Sequence, residues 1–425
     1  MKLNSVCIIG LGYIGLPTAS TFATHGLQVY GVDSNPDVIN TLSHGRVHIF
    51  EPGLQDVVDR AVKSGNLQVY AAPIPADAFI IAVPTPFHDD KKADMSYVTS
   101  AAESIVPVLR EGNLVVLEST SPPQTTRNLV LPILEQSGLK AGRDFMLAYS
   151  PERVLPGQIL RELLENARVI GGIDRASAEA GRDLYATFVK GEIVMTDSTT
   201  AEMVKLMENT YRDINIAVAN EFSRLADRFG VDVWEAIQIA NRHPRVKILN
   251  PGPGVGGHCI SVDPWFFVES APDITPLILT ARKVNDSQPE FAARLVDNAL
   301  LQNGGKKVAC LGLAYKPDVD DLRESPAVDV VKLLVKSGAV VSFFEPFKPD
   351  YEIPGARRSD SLENATSDAD MVVLLVGHTQ FKSLAPDRLA AMTRSRILVD
   401  LVNGWNAESF ITAGFKVFRL GVGRE

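Results

Sequence analysis

The chain has 425 residues, of which 45% are hydrophobic and 22% charged, and its formal net charge is -9. This length predicts two or three domains, and the acidic balance argues against a nucleic-acid or acidic-membrane partner. Three scattered cysteines exclude a disulfide framework and favour a reducing compartment. A predicted strand begins almost at once, and no apolar run approaches the roughly 20 residues of a membrane span. We therefore expect a soluble cytoplasmic protein.

Apolar runs alternate with helical segments in two parts of the chain, residues 1–196 and 304–425. The first part opens with VCIIGLGYIG and the second with VACLGLAYKP, and each reads as strand, small-residue turn and helix. Between them, Thr199 to Phe229 holds no Gly or Pro and has helical apolar spacing, which predicts one long helix in a central region, residues 197–303. The sequence thus predicts an α/β fold with two Rossmann-like domains, each a doubly wound parallel sheet, joined by a central long helix.

A dinucleotide fingerprint follows the first predicted strand. Gly10, Gly12 and Gly15 form G-x-G-x-x-G, and Asp33 closes the next strand. The first glycine permits the turn, the second lets a pyrophosphate approach the backbone, and the third lets helix pack on strand. A purely structural turn is the alternative, but the acid at the expected distance argues against it. Because the Asp33 carboxylate can accept from ribose hydroxyls and repels a 2′-phosphate, NAD is favoured over NADP.

Thr85 and Thr120 end the later strands AFIIAVPT and LVVLEST. Carboxyl strand ends face the cofactor crevice in sheets of this kind, so both are candidate cofactor contacts. Threonines at strand ends are also often simple caps, and position leaves the two roles equally open.

The three cysteines have different surroundings. Cys7 and Cys310 fall at matching points inside the two predicted first strands and are expected to be inert core thiols. Cys259 instead ends the glycine-rich run GPGVGGHC, with Asp263 four residues on. Glycines let the backbone turn tightly and a substrate approach the sulfur, and the predicted helix start at Asp-Pro favours a thiolate. A buried structural cysteine is the alternative, but Gly-Gly and Asp are poor core neighbours. A nicotinamide cofactor and a thiol can together carry an alcohol or aldehyde through a thioester to an acid.

Lys205, Asn209 and Arg212 share one face of the predicted long helix because their spacing is i, i+4, i+7. A solvated polar stripe is the alternative for an ordinary surface helix. In a helix between two nucleotide-binding domains, a cationic and amide face suits an anionic substrate. A lysine there could stabilise an alkoxide or a hemithioacetal oxyanion, and Asn209 could donate to the same oxygen.

Other charged residues are candidates by position. Glu152 in SPERVLPG and Asp263 could activate water, and His243 and Arg245 in NRHPRV could contact phosphate or sugar. No cysteine pair or spaced histidine pair supplies the ligands of a zinc site, so no metal is expected.

The loop AYKPDVDDLRESP carries Lys316 and Arg323 between a strand and a helix that Ser325 and Pro326 would cap and start. A charged surface loop is the alternative. Its position at the carboxyl end of a first strand favours nucleotide binding.

The order GLGYIGLP, SPERVLPG, the Lys205/Asn209 helix, GVGGHC and AYKPDVDDLRESP resembles the UDP-glucose/GDP-mannose dehydrogenase family nearly end to end. ENTYRDINIAVANE, ANRHPRV and GPGVGGHCISVDPWF are most similar to the branch that oxidises UDP-N-acetylhexosamines. The resemblance implies NAD-dependent four-electron oxidation at sugar carbon-6, with UDP-N-acetyl-D-mannosamine as the expected substrate and UDP-N-acetylglucosamine or UDP-glucose as alternatives. The product would serve cell-surface polysaccharide synthesis.

The same resemblance implies residue roles. Cys259 would capture the aldehyde as a thiohemiacetal that becomes a thioester, and Lys205 would be the proton donor/acceptor with Asn209 beside it. Asp263 would hold the water, and Glu152 would assist thioester hydrolysis. The implied NAD contacts, beyond the fingerprint glycines, are Tyr13, Ile14, Asp33, Thr85, Thr120 and Arg323. The implied nucleotide-sugar contacts are Arg153, Val154, Lys205, Asn209, Arg212, His243, Arg245, Gly256, Tyr315 and Lys316.

The family also implies a homodimer through the central helix, with Arg245 able to reach the partner's site, and Asn403 stands where related chains often carry a basic residue. Two other classes remain open. A two-electron 3-hydroxyacid-type dehydrogenase needs neither the thiol nor a second nucleotide fold, and a non-catalytic NAD sensor needs only the fingerprint. The number of NADH formed per substrate separates the three.

Overall fold

A computed structural model describes residues 3–88 and 90–423, and the chain divides into two compact units. The first unit comprises Met1–Glu208 and Trp265–Pro272, and the second comprises Asn209–Pro264 and Asp273–Glu425. The predicted central region, residues 197–303, contributes to both units rather than forming a compact unit of its own. The domain boundaries at 196 and 303 stay predictions.

The first unit is built on an eight-stranded sheet with strand order β3-β2-β1-β4-β5-β6-β7-β8. Its strands are β1 Ser5–Ile9, β2 Gln28–Val32, β3 Leu67–Tyr70, β4 Ala78–Ile81, β5 Leu114–Leu117, β6 Met146–Tyr149, β7 Arg168–Gly172 and β8 Ile193–Asp197. Strands β1 to β6 are parallel, as predicted, but β7 runs antiparallel to β6. The SPERVLPG connection stays at the carboxyl edge of the sheet, so β7 starts at that edge and runs back.

Helices cover both faces of this sheet, which confirms the doubly wound arrangement. They are α1 Gly15–Thr24, α2 Pro36–Ser43, α3 Leu54–Lys63, α4 Ser96–Ile105, α5 Leu131–Leu134 after a π-helical turn at Thr126–Val130, α6 Ile159–Glu165 and α7 Arg175–Tyr185. Successive strand residues point to opposite faces, so Val6 and Ile8 of β1 pack in one apolar cluster while Cys7 and Ile9 pack in another.

The second unit contains a six-stranded parallel sheet with strand order β11-β10-β9-β12-β13-β14. Its strands are β9 Lys307–Leu311, β10 Val340–Phe344, β11 Arg357–Arg358, β12 Met371–Leu374, β13 Ile397–Asp400 and β14 Lys416–Arg419. This order repeats that of β1 to β6, which confirms the prediction of a second Rossmann-like sheet.

The remaining helices are α8 Ser198–Phe229, α9 Val233–Ala240, α10 Asp263–Ser270, α11 Pro276–Asp286, α12 Gln288–Gln302, α13 Pro326–Lys336, α14 Leu362–Thr366, α15 Thr379–Lys382, α16 Pro386–Met392 and α17 Ala407–Thr412. Helix α8 confirms the predicted long helix. Asp197 accepts the amide of Thr200 at 3.0 Å at its start, and Gly230 with φ +70 follows its end. None of the helices within residues 3–88 and 90–423 is both long and apolar enough to cross a membrane.

A carboxylate binds the amino end of the first strand in both sheets. Asp77, just before β4, accepts the amide of Ser5 at 3.0 Å, and Asp370, just before β12, accepts that of Lys307 at 2.9 Å. Because β4 pairs with β1 and β12 with β9, these two contacts align the first strands residue by residue. The two sheets therefore repeat one another in individual polar contacts as well as in strand order.

In this alignment Cys7 of β1 matches Ala309 of β9, and Cys310 matches Ile8. The predicted matching positions were thus wrong by one residue, and the two thiols face opposite sides of their sheets. Both are fully buried, and burial raises the pKa of each thiol to about 12. The prediction that they are core thiols is confirmed.

Two hydrogen-bonded tryptophans lie in the interior of the second unit. Trp234 at the start of α9 donates its indole N–H to the carbonyl of Leu420 at 2.9 Å. Trp405, after β13, donates to the carbonyl of Phe381 at 2.8 Å. Both rings are buried, so each polar N–H is satisfied where water is excluded.

Candidate active site

The turn after β1 has the shape that a pyrophosphate requires. Gly10 has φ +93, and a Cβ there would lie 2.6 Å from the carbonyl oxygen of Ala82. A Cβ on Gly15 would overlap the carbonyl oxygen of Gly10, whereas no atom lies within 4 Å of the Cβ position at Gly12. The space beside Gly12 is therefore open, and α1 begins three residues later with no side-chain cap on its first amides. The residues present fit a dinucleotide at this turn.

Asp33 follows β2 directly and contacts the same turn. Its Oδ2 accepts the amide of Leu11 at 3.0 Å, and its Oδ1 accepts the amide of Asn35 at 2.9 Å. The side chain is only half-buried, and a carboxylate has lone pairs left for ribose hydroxyls. Tyr13 and Ile14 are half-buried in the turn itself.

Thr85 and Thr120 lie beyond the strands that they were predicted to end. Strand β4 ends at Ile81 and β5 at Leu117. Proline has no amide to donate to a ladder, so the VPTP segment cannot continue β4. Both threonines are half-buried and follow the carboxyl ends of parallel strands, Thr85 after β4, which pairs with β1, and Thr120 after β5, which pairs with β4.

Glu152 belongs to a buried charge cluster that the sequence did not predict. Its carboxylate forms an ion pair with Arg168, the first residue of β7, which also donates to Glu118 at 3.1 Å and to Ser150 Oγ at 3.0 Å. The guanidinium stacks 4.1 Å from the ring centroid of Tyr185, whose hydroxyl donates to Glu118 at 3.0 Å. Burial raises the pKa of Glu118 to about 7, although the charge of Arg168 opposes the shift.

Arg153 and Val154 are adjacent to Glu152 in sequence, but both have contacts within the first unit. Arg153 donates to Glu208 at 2.6 Å and to the carbonyl of Ala167. Val154 packs against the apolar cluster on one face of the sheet. Their predicted role as substrate contacts remains a prediction.

The three polar residues on α8 differ in exposure. Lys205 and Asn209 are each 8% exposed, whereas Arg212 is exposed. Asn209 donates its side-chain N–H to Oδ2 of Asp263, the first residue of α10, at 2.5 Å. Asp263 is 2% exposed, so the hydrogen bond between this amide and carboxylate is shielded from water and holds both side chains in one orientation.

The Cys259 loop is packed too closely for side chains at its glycines. A Cβ on Gly256 would lie 2.5 Å from the carbonyl oxygen of Glu324, and one on Gly257, where φ is +84, would lie 2.8 Å from the ring of Tyr315. The amide of Gly257 also donates to the carbonyl of Arg323 at 3.0 Å. These contacts hold the thiol of Cys259 at a half-buried position.

A cavity of about 360 Å³ lies at the carboxyl ends of β9, β12 and β13. Lys316 and Lys382 line it and bring two cations to one space, and Tyr315 forms part of the wall. Burial raises the pKa of Tyr315 to about 12, so its hydroxyl stays neutral. The size and charge suit a nucleoside diphosphate. Sequence reasoning selected Tyr315 and Lys316 but missed Lys382, which lies 66 residues further along the chain.

Other predicted residues lie outside this cavity. His243 and Arg245 are exposed in the loop after α9, where the amide of Arg245 contacts His243 Nδ1 at 3.3 Å. Arg323 is paired with Asp321 through Nε at 2.9 Å and Nη2 at 2.6 Å. Ser325 does precede α13, but its hydroxyl donates to the carbonyl of Leu313 at 2.6 Å instead of capping that helix.

Asn403 has φ +50, and its side-chain oxygen accepts from Arg419 at 3.2 Å. A basic side chain therefore reaches this position from β14, and Arg419 also forms an ion pair with Asp232. Within the described part of the chain, His, Cys, Asp and Glu side chains form no group of three or more that could hold a metal ion.

Three family models match the chain, and all come from the UDP-glucose/GDP-mannose dehydrogenase family. They are its NAD binding domain over residues 4–189, its central domain over 199–287 and its UDP binding domain over 309–407. The chain belongs to this family. The resemblance seen in the sequence motifs is therefore confirmed. The protein is an NAD-dependent dehydrogenase, and its fingerprint turn fits the cofactor.

Similarity to individual family members extends over the full length. The UDP-N-acetyl-D-mannosamine dehydrogenase of Methanococcus maripaludis is 47% identical over 99% of this chain and 98% of its own. The NDP-N-acetyl-D-galactosaminuronic acid dehydrogenase of Ralstonia nicotianae is 48% identical over 96% of this chain and 98% of its own. The solved structure of a UDP-D-ManNAc dehydrogenase from Pyrococcus horikoshii has a TM-score of 0.91 and 41% identity, covering 99% of both chains.

Proposed function

We propose that this dehydrogenase oxidises carbon-6 of UDP-N-acetyl-D-mannosamine to the carboxylate, giving UDP-N-acetyl-D-mannosaminuronate for cell-surface polysaccharide synthesis. The observation that carries the proposal is full-length similarity to a named UDP-N-acetyl-D-mannosamine dehydrogenase, together with a half-buried thiol in a tightly packed glycine loop. NAD, when bound, accepts one hydride in each of two oxidations. UDP-N-acetylglucosamine and UDP-glucose are the alternative substrates.

Lys205 and Asn209 are proposed to act on the reacting oxygen of carbon-6. Both side chains are nearly buried on α8, where a cation and an amide donor stabilise a developing alkoxide more strongly than in water. Lys205 is proposed to take the proton of the alcohol on its uncharged amine as the first oxidation forms the aldehyde, and the ammonium that results is the cation that stabilises the later oxyanion. The hydrogen bond from Asn209 to Asp263 supports a fixed orientation of the amide.

Cys259 is proposed to form the covalent intermediate. Its thiolate adds to the aldehyde carbon, and the new C–S bond gives a thiohemiacetal whose oxygen carries the negative charge. The second oxidation converts this group to a thioester on the same sulfur. A thioester forms readily and is cleaved readily, because a thiolate is both a good nucleophile and a good leaving group.

Water is proposed to release the acid. It adds to the thioester carbonyl, the C–S bond breaks, and the sulfur leaves as thiolate while the product keeps both oxygens. Asp263, buried and bonded to Asn209, is proposed to hold this water, and Glu152 is proposed to assist the hydrolysis. The ion pair of Glu152 with Arg168 supports a fixed position for this carboxylate.

The nucleotide half of the substrate is proposed to bind in the cavity of the second unit. Lys316 and Lys382 supply two positive charges for the diphosphate, and Tyr315 lies in the wall. Arg212, His243 and Arg245, all exposed, are proposed contacts for the N-acetylated sugar. We place the enzyme in the cytoplasm because its chemistry needs Cys259 as a reduced thiol.

We also propose a homodimer through α8. Tyr211, Val218, Phe222, Leu225 and Phe229 are 40–71% exposed, and their spacing of three, four or seven residues puts them on one face. An apolar stripe of this length on a surface helix is typical of an interface. Phe222→Asp should give a monomer in analytical ultracentrifugation, whereas Leu301→Asp, at a more exposed apolar site near the end of α12, should leave the dimer intact.

The function is tested with purified enzyme, NAD and three substrates: UDP-N-acetyl-D-mannosamine, UDP-N-acetylglucosamine and UDP-glucose. We expect two NADH per sugar, a uronate product by mass spectrometry and the highest kcat/KM with the mannosamine. Faster turnover of UDP-glucose would refute the substrate assignment. One NADH per sugar would identify a two-electron dehydrogenase, and none would identify an NAD-binding sensor.

A further inference from the structure

The side chain of His258 lies against the thiol of Cys259. Its Nδ1 is 3.2 Å from the Cys259 sulfur, within hydrogen-bond distance for a thiol. The opposite ring nitrogen, Nε2, is 3.9 Å from Oδ2 of Asp321. A nucleophile, an imidazole and a carboxylate thus follow one another in space, the order found where an enzyme activates a weak nucleophile.

The arrangement selects one histidine tautomer. A thiol in contact with Nδ1 can donate its proton only if Nδ1 carries none, so the ring N–H is then on Nε2, the nitrogen nearest Asp321. Asp321 is held in turn by the amide and guanidinium of Arg323. Burial opposes ionisation of Asp321, but the hydrogen bonds and charge of Arg323 lower its pKa. A carboxylate therefore faces the side of His258 on which positive charge would appear.

The backbone fixes this geometry. Neither Gly256 nor Gly257 has space for a side chain beside Tyr315, and Asp263 donates its amide to the carbonyl of Cys259 at 2.8 Å. The loop that carries the histidine and the thiol is thus held on both sides of the pair.

We infer that His258 is the base that takes the proton of the Cys259 thiol and that Asp321 is a positioning residue for the imidazolium. The S–H bond breaks, a proton joins Nδ1, and the sulfur keeps the electron pair with which it attacks the aldehyde carbon. No oxidant takes part in this step. The inference rests on the proposed function only for the identity of the electrophile.

A cysteine of ordinary pKa, about 8.5, is only a few per cent thiolate at pH 7. A neighbouring imidazole that becomes charged as the thiol ionises raises that fraction, as other thiol–imidazole pairs do. The charge of Arg323 offsets part of the Asp321 charge, so removing Asp321 should have a smaller effect than removing His258.

The test is the pH dependence of alkylation by iodoacetamide, with modification of Cys259 followed by mass spectrometry from pH 5 to 10. His258→Gln should raise the midpoint, so that the rate at pH 6.5 falls about tenfold while the rates at pH 10 converge. Asp321→Asn should shift the midpoint less and in the same direction. His44→Gln, an exposed histidine in the first unit, is the matched control and should match the wild type.

His258 is 39% exposed, so its replacement should not prevent folding, and thermal unfolding checks this. Identical alkylation profiles for wild type and His258→Gln would overturn the inference. The assay contains no sugar nucleotide. If the midpoint shifts but the enzyme oxidises none of the three UDP-sugars, the inference stands and the proposed function fails.

Discussion

The two units begin with the same strand and turn but use the acid after their second strand differently. Gly10 and Gly312 have φ +93 and +86, and each donates its amide to the carbonyl that ends the neighbouring strand, at 2.8 and 3.0 Å. In the first unit the following acid, Asp33, is half-buried and accepts one amide per oxygen. In the second unit the equivalent residue is Glu345, which is 3% exposed.

The Glu345 carboxylate finds its hydrogen-bond donors inside the protein. One oxygen accepts the amides of Leu313 at 2.6 Å and Ala314 at 3.0 Å and contacts His378 Nε2 at 3.1 Å. The amide of Asp318 donates to His378 Nδ1 at 2.8 Å, so the ring N–H is on Nε2 and points to Glu345. No lone pair of that oxygen is left for a ribose, and the carboxylate instead binds the backbone of the turn, including the amide of Ala314, which lines the cavity.

The turns also differ in length. Helix α1 begins five residues after Gly10, whereas α13 begins fourteen residues after Gly312. The added loop supplies Tyr315 and Lys316 to the cavity. We infer that a repeated sheet fixes where a ligand binds, at the carboxyl strand ends, while the turn and the acid decide which part of a nucleotide it can take.

The largest expected effect is a loss of activity on replacing Cys259, the thiol of the second unit, compared with little loss on replacing Cys7, the core thiol of the first. Cys259→Ser should lower uronate formation by about a thousandfold or more, because an alkoxide is a poorer leaving group than a thiolate and serine is a weaker nucleophile. Cys7→Ser should lower stability with little effect on kcat per folded molecule. Uronate assays on both variants, each checked by thermal unfolding, measure the difference. Full turnover by Cys259→Ser would remove the thioester mechanism.

Gly12→Val should weaken binding of NAD to the first unit without changing binding of UDP to the second. A Cβ at this position has no protein atom within 4 Å, so folding should be normal, but the side chain fills the space beside the turn where a pyrophosphate approaches. We expect NAD affinity to fall about a hundredfold, since a displaced diphosphate loses several charge-assisted hydrogen bonds, with UDP affinity unchanged. Calorimetric titration with each ligand measures both. The control Ala314→Gly, which gives the second turn its missing glycine, should not create a second NAD site.

The paired acids should respond in opposite ways to loss of charge. Asp33→Asn should raise the NADP-to-NAD ratio of kcat/KM about tenfold or more, because it removes repulsion of a 2′-phosphate, with little change in stability. Glu345→Gln should leave that ratio unchanged, weaken UDP binding and lower the free energy of unfolding by about 2 kcal/mol, since buried amides lose an acceptor. Comparable losses of stability in both variants would contradict the distinction between them.

Buried glutamates of the two units should also differ in their pH dependence. The pKa of Glu118 is raised to about 7 by burial, so its contribution to stability is full below its unfolded pKa and is lost as pH rises through about 7. Burial opposes ionisation of Glu345, but the hydrogen bonds from His378 and from the amides of Leu313 and Phe347 together lower its pKa, so its contribution is lost as pH falls. Denaturant unfolding should therefore show that Glu118→Gln raises the free energy of unfolding at pH 8.5 by about 1–2 kcal/mol and leaves it nearly unchanged at pH 5.

Local patterns were enough to predict much of the fold. Apolar periodicity located α8 within one residue, and the alternation of strands and helices predicted two sheets of the same kind. The dinucleotide turn could also be predicted, because the fingerprint glycines and Asp33 lie together and the turn and the second strand are close in sequence. These features depend on neighbours within one strand-turn-helix unit.

Residues brought together by distant parts of the chain were missed. Glu118 and Arg168 are fifty residues apart, and Glu345 and His378 thirty-three, so no spacing rule links them. The antiparallel direction of β7 depends on where its connection ends, which composition does not reveal. His258 adjoins Cys259 in sequence, yet only the side-chain directions in the folded loop show their contact.

The distribution of tryptophans gives the protein two separate optical signals. Trp234 and Trp405 are buried in the second unit, and Trp265, the third, belongs to the first unit and is only half-buried. Fluorescence should therefore follow unfolding of the second unit mainly, while far-ultraviolet circular dichroism follows both. If the units unfold separately, the two denaturant curves will not coincide. A single melting temperature would then describe neither unit, and stabilities of variants should be read by both probes.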